Sequence, residues 1–347
     1  MQGKMKAAVL VEPGRIEIQQ HDIPVPKADE ALVRVKAVGL CGSDVHYYEH
    51  GRIGPYVVEK PIILGHEAAG EVVAVGSAVS HLKSGDRVTI EPGVTCGRCS
   101  YCKSGQYNLC PDVVFLATPP VDGAFCEYIA IRSDFLYPIP DHLSYEKAAL
   151  IEPFSVGLHA IRRGRLKAGE TVVIMGMGPI GILALAAAKA AGAQTVIGMD
   201  LEPFRLEKAL QMGATHVVNL REEEAEAAIL RLTGGKKADL AIETAGNGRA
   251  AQASLRSVRR GGRIVLVGLP QEEATPLSIP YIVDNEIDIM GLFRYHNTYA
   301  AGVELMAGDR IDIEPVITDY MTLDETAAAF EKAIREKNST LKIVIRP

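Results

Sequence analysis

Tryptophan is absent, aromatic residues make up only 5% of the 347 positions, and there are six cysteines. Six are too few to frame a chain of this length with disulfides, and four of them crowd between Cys96 and Cys110, which points to a metal. No apolar run approaches the roughly 18 residues that a transmembrane helix needs. The start, Met1 to Ala7, lacks the apolar stretch and cleavage site of a signal peptide, so the expected location is cytoplasmic. Positive charge is not in excess: 37 Lys and Arg stand against 43 Asp and Glu, a formal net charge of -6. That balance repels a phosphate backbone or an anionic bilayer, so neither nucleic acid nor membrane is expected as a partner. What is present is an ordinary globular composition, 48% hydrophobic and 23% charged, with 33 glycines. At about 150 residues per domain, the length predicts about two domains.

Up to about residue 140 the pattern is of short β-rich segments broken by Gly, Pro and Asp: 5–12, 15–20, 31–38, 69–75, 87–91 and 126–131. This half reads as an antiparallel β domain. From Thr171 the rhythm alternates: strand 171–175, helix 180–191, strand 195–199, helix 203–212, strand 216–219, then strand 240–243, helix 250–258 and strands 263–267 and 287–290. Such alternation predicts a parallel sheet covered by helices on both faces, the doubly wound arrangement. A helix near 323–336 and a strand at 341–345 follow, and local pattern does not assign this tail to either domain. The acidic cluster Glu222, Glu223, Glu224 and Glu226 reads as a solvated helix face.

Gly176-Met177-Gly178-Pro179-Ile180-Gly181 follows the apolar run Val172 to Met175 and opens a helical segment. In that context G-x-G-x-x-G is a dinucleotide fingerprint. Gly176 allows a tight turn, Gly178 admits a pyrophosphate against the backbone, and Gly181 lets helix and strand pack closely. Asp200, closing the next strand, stands where a carboxylate accepts the adenosine ribose hydroxyls and repels a 2′-phosphate, which favours NAD over NADP. Arg205 is the counter-argument, since a guanidinium there could hold that phosphate or stack on adenine.

Cys96-x2-Cys99-x2-Cys102-x7-Cys110 lies in a polar loop. Four thiolates can surround one Zn2+ tetrahedrally and leave no open position, which implies a structural role. An iron-sulfur cluster is the rival, and the long gap before Cys110 argues against it. A catalytic metal needs an incomplete ligand set. Cys41, in the glycine-bounded turn Gly39 to Gly42, and His66-Glu67 after Gly65 offer one. Glu152 is a carboxylate in the apolar setting Leu150 to Phe154, where its charge needs a cation.

Taken together, these residues resemble the zinc-dependent medium-chain alcohol dehydrogenase superfamily, and within it the sorbitol (polyol, L-iditol 2-) dehydrogenase branch. The segments that carry the resemblance are Cys41 to Tyr48, Gly51 to Gly54, Gly65 to Glu67, Ile151 to Pro153, the glycine turn and Gly291 to Tyr295. The resemblance implies a GroES-like β catalytic domain (residues 1–152 and 286–347) interrupted by a Rossmann domain (153–285). It further implies one catalytic zinc at Cys41, His66, Glu67 and Glu152, one structural zinc at Cys96, Cys99, Cys102 and Cys110, and NAD as the coenzyme. Whether Glu67 or Glu152 touches the catalytic metal stays open, and Asp44 matches the carboxylate that orients the histidine ligand. Ser43 and His46 match a proton relay, with Glu152 as an alternative route. Tyr47, Glu152, Arg294 and Tyr295 match polyol contacts. Gly176, Gly178, Ile180, Gly181, Asp200, Arg205, Val267, Gly268, Leu269, Leu292, Phe293 and Arg294 match coenzyme contacts. The implied reaction oxidises the C2 hydroxyl of a sugar alcohol such as sorbitol, L-iditol or xylitol to the ketose, in a homotetramer. A related zinc dehydrogenase acting on L-threonine or 2,3-butanediol is the nearer alternative, and a non-catalytic zinc module the more distant one. The full four-cysteine set departs from the animal branch and leans toward a bacterial-type enzyme. Cys126 reads as a strand-core thiol.

Overall fold

The computed structural model describes residues 3–347 apart from 271, 273 and 309; Met1 and Gln2, part of the start read above, lie outside the described residues. Two compact units emerge: Met1–Glu152 with Tyr299–Asp309 and Ile317–Pro347, and Pro153–Thr298 with Arg310–Val316. The strand Asp288–Gly291 pairs in parallel with Val258–Leu266, Arg263 opposite Asp288 and Leu266 opposite Gly291. Parallel ladder bonds keep that segment in the second unit.

The first unit is built on a seven-stranded, mostly antiparallel sheet. Its longest pairing joins Glu30–Gly39 to Glu67–Val75, with Gly39 opposite Glu67. Lys342–Arg346 lies on the other side of the Glu30–Gly39 strand, Val344 opposite Gly39. Alternate residues along these strands turn inward, and the core gathers Leu10, Val33, Ile90, Phe125 and Phe330. Two strand ends and a carboxy-terminal strand therefore meet around Gly39.

The second unit holds a six-stranded parallel sheet. Across the sheet its order is His216–Asn219, Thr195–Asp200, Thr171–Met175, Ala238–Glu243, Val258–Leu266 and Asp288–Gly291. The central strand is apolar and buried on both faces, as helix-covered parallel strands are. The carboxyl ends of its strands form the edge where doubly wound sheets bind ligands.

Some local readings changed. Cys41 caps the helix Gly42–His50 rather than sitting in a plain turn. Glu222 and Glu223 lie in a turn, and Glu224 caps the short helix Ala225–Leu232 through its side chain instead of lining a helix face. Among the described residues, no helix is long and apolar enough to cross a membrane.

Candidate functional site

The four-cysteine cluster is local. The sulfurs of Cys99 and Cys102 lie 3.4 Å apart, and those of Cys96 and Cys102 are 3.9 Å apart. A tetrahedral zinc with bonds of about 2.3 Å spaces its sulfurs by about 3.8 Å. Backbone amides aim at the same sulfurs: Cys99 N–H donates to Cys96 Sγ and Cys102 N–H to Cys99 Sγ, each at 3.4 Å. Amides from Arg98 and Cys99 pull the Cys96 thiol down to about 6, whereas burial pushes Cys110 up to about 11. Four convergent soft donors fit a closed zinc site.

The second cluster is assembled. Cys41 stands before the helix Gly42–His50, His66 precedes the strand that opens with Glu67, and their ligand atoms lie within 4.8 Å of one another. Asp44, fully buried, ties the two loops together. Its Oδ2 accepts from Cys41 N–H at 3.1 Å and its Oδ1 from Gly65 N–H at 3.0 Å, while His66 Nδ1 lies 3.6 Å from Oδ1. Burial alone lowers the His66 imidazole, but the Asp44 carboxylate and Cys41 outweigh it and hold it well above its usual value. A carboxylate behind a histidine is how proteins orient a metal-ligating imidazole.

Sequence reasoning missed Lys342. Its ammonium is 2% exposed and donates to both oxygens of Glu67, at 2.7 and 2.8 Å, and to the carbonyl of Leu40 at 3.0 Å. All three ammonium hydrogens are thereby used. Burial lowers the Lys342 pKa, and the charges of Glu67, Cys41 and Glu152 reverse that, leaving it raised. Gly39 is part of the same device: a Cβ there would stand 2.0 Å from Glu67 Oε2. The partners are 275 residues apart in sequence, so no local signal announces the pair.

Glu152 is 5% exposed, in the first turn of the helix Ile151–Arg163. Ser43, His46 and Tyr47 share the helix that begins after Cys41, and Ser43 and His46, three positions apart, share a face. Burial and the neighbouring His50 lower the His46 pKa. Tyr47 is buried. A further buried carboxylate, Glu91, accepts from the hydroxyls of Tyr107 and Tyr137, each at 2.8 Å, and so links the four-cysteine lobe to the strand Leu136–Pro138. Cys126 is fully buried, bonds Tyr128 O and is pushed up to about 12 by burial, as a core thiol should be.

In the second unit the glycine turn joins the strand Thr171–Met175 to the helix Pro179–Ala190. Gly176 adopts a left-handed backbone (φ 96°), and a Cβ on Gly181 would strike Gly176 O at 1.8 Å, so only glycine lets this helix approach the strand. A Cβ on Gly178 would meet nothing within 4 Å, which leaves open space above the helix amino terminus headed by Pro179 and Ile180. Asp200 accepts from Met177 N–H at 2.6 Å and from Leu201 and Glu202 N–H at 2.7 and 2.9 Å, with Arg205 3.8 Å away. Glu243, also missed, organises the adjoining loops. Its side chain accepts from Ala245 and Gly246 N–H at 2.8 Å, and its carbonyl accepts from Val267 and Gly268. Leu269 is 80% exposed, Leu292 N–H bonds Leu266 O, and the Arg294 guanidinium lies 4.8 Å from the Phe293 ring centre. Tyr295 is buried in this unit.

A parallel sheet with a glycine turn opening a helix, joined in one chain to a β unit bearing one closed and one assembled cluster of metal-ligating side chains, fits a class of zinc-dependent dehydrogenases. Residues 27–141 match the alcohol dehydrogenase GroES-like domain and residues 179–308 the zinc-binding dehydrogenase family. The chain is 57% identical over 343 residues to a sorbitol dehydrogenase of Bacillus subtilis (strain 168), covering 99% of this chain and 97% of the relative. An Escherichia coli oxidoreductase of unknown specificity superposes with a TM-score of 0.95 at 40% identity, over 99% of both chains. The 2R,3R-butanediol dehydrogenase of Bacillus subtilis superposes at 0.91 with 34% identity, again over 99% of both chains. The chain belongs to the zinc-binding dehydrogenase family and is an oxidoreductase of its polyol dehydrogenase group.

Proposed function

We propose that this enzyme oxidises the C2 secondary hydroxyl of a sugar alcohol, sorbitol, L-iditol or xylitol, to the ketose with NAD as hydride acceptor. The observation that carries this is the Cys41–His66–Glu67 cluster braced by Asp44 and Lys342, in a chain 57% identical to a sorbitol dehydrogenase. When bound, zinc lowers the cost of negative charge on the substrate oxygen and NAD receives the hydride. Cys41 and His66 hold the metal. Each Glu67 oxygen accepts one bond from Lys342 and keeps a lone pair, so either Glu67 or Glu152 would supply the carboxylate that completes the set.

The protein's own groups do the rest. Ser43 accepts the hydroxyl proton and passes it toward His46, which lies on the same helix face. Tyr47, Arg294 and Tyr295 position the remaining hydroxyls. Gly176, Gly178 and Gly181, with Ile180, would hold the pyrophosphate, Asp200 would accept from the adenosine ribose, and Arg205 would flank it. Val267, Gly268, Leu269, Leu292, Phe293 and Arg294 line the nicotinamide end. The working form is a cytoplasmic homotetramer, which light scattering checks for its subunit count.

The test is NADH formation with sorbitol, xylitol, 2,3-butanediol and L-threonine. Turnover confined to the polyols supports the reading; preference for butanediol, the substrate in the name of one structural neighbour, or for threonine replaces it. Asp200→Ala should erode the preference for NAD over NADP, and unchanged discrimination would refute the role given to that carboxylate.

A further inference from the structure

The helix Gly42–His50 carries a further group of metal-binding side chains, outside both clusters described above. His46, Glu49 and His50 form the pattern H-x-x-E-H, and residues three and four apart share one face of a helix. The two imidazoles meet on that face, with ring centres 4.6 Å apart and planes inclined by 70°. His46 is partly exposed, and Glu49 and His50 are exposed. Among the described residues no hydrogen bond ties either ring. Burial and then His50 lower the His46 pKa against the pull of Glu49, so a proton on one ring disfavours a proton on the other.

An imidazole without its second proton keeps one nitrogen lone pair for a cation, and two rings on successive turns offer two. Metal–nitrogen bonds of about 2.1 Å, meeting at roughly 90–110°, set the centres of two ligating rings about 4.5–5 Å apart. The observed spacing meets that requirement with the backbone as it stands. Glu49 adds a flexible carboxylate on the same face, and water can fill the remaining positions. Imidazole donors suit zinc, nickel and copper, whereas magnesium and calcium prefer oxygen. We infer that His46, His50 and Glu49 form a third metal site, open and weaker than the other two, for a divalent transition ion such as Zn2+, and that filling it withdraws His46 from proton transfer and inhibits the enzyme. The inhibition, unlike the binding, rests on the relay role proposed above for His46.

The test is dialysis of the holoenzyme, its two zinc ions in place, against buffered free Zn2+, with total zinc per chain counted and NADH formation from sorbitol followed over the same range. A third zinc per chain is expected, with turnover falling as it binds. His50→Gln should keep the turnover of wild type at low free zinc and need about a hundredfold more free zinc for both effects, because losing one of two chelating rings removes an effective concentration of that order. Absence of a third ion, or uptake unchanged in His50→Gln, leaves adventitious surface binding only and overturns the site. A third ion that depends on His50 but does not slow wild type overturns the inhibition, and with it the relay through His46. Zinc uptake is counted without substrate, so the site stands or falls separately from the choice of polyol.

Discussion

The two metal clusters of the β unit are built in opposite ways. The four cysteines fall within fifteen residues, their sulfurs are crossed by amides of the same loop, and three of the four side chains are only half-buried. The other cluster draws Cys41 from a helix cap, His66 and Glu67 from the start of a strand, and Lys342 from the last strand of the chain, with Asp44, Glu67 and Lys342 almost wholly buried. A self-contained loop needs only its own metal to be right. An assembled cluster depends on a whole sheet being in register, and it holds its charges in place with counter-charges.

The sharpest way to break this comparison is to remove one ligand from each cluster. Cys41→Ala should reduce polyol oxidation by on the order of a thousandfold or more while one zinc per chain remains bound, since the Lewis acid supplies several kcal/mol of transition-state stabilisation. Cys99→Ser should instead lower the thermal midpoint, with kcat of the folded fraction within about tenfold of wild type. Reversed results from metal analysis and steady-state kinetics would exchange the two roles.

Lys342→Met probes the dependence on counter-charge. It strands Glu67 in a fully buried position, and urea unfolding should show a loss of about 3–5 kcal/mol. Glu67→Gln/Lys342→Met should recover part of that loss, because the stranded charge has gone; no recovery would mean that packing rather than charge holds the site.

Asp44→Asn keeps the shape but removes the charge behind His66, and zinc affinity at the assembled cluster should weaken by about 10–100-fold in competition with a chelator, while the four-cysteine site is unaffected.

The smallest effect concerns Glu91, which bridges the four-cysteine lobe to the strand Leu136–Pro138. Burial raises its carboxyl from the ordinary 4.5 to about 7, against the hydrogen bonds from Tyr107 and Tyr137 that pull it down. The folded protein therefore keeps a proton that the unfolded chain loses between those values. Its contribution to stability is full below about 4.5 and is lost as the pH rises through about 7. Glu91→Gln should flatten the stability profile in that window, and an unaltered slope in urea titrations at stepped pH would show that Glu91 does not titrate there.

How much of this could be read from the sequence follows the same division. The four-cysteine spacing and the glycine turn are legible because both are local: ligand spacing and the strand–turn–helix context lie within a few residues. Gly181 is a direct case, since the space missing above Gly176 O explains the residue. Cys41, His66 and Glu67 are legible as candidate ligands one by one, and the resemblance joins them, because Cys41 and His66 stand 25 positions apart and nothing local aligns them. Lys342 and Glu243 carried no signal at all, being an ordinary lysine and glutamate until the sheets fold.

The most direct measurement is metal content against activity as a chelator is titrated into the purified enzyme with sorbitol and NAD. The account predicts two zinc ions per chain at the outset and the loss of NADH formation as the first is withdrawn, with the fold retained while the second stays. Oxidation that continues after both ions have left would contradict it.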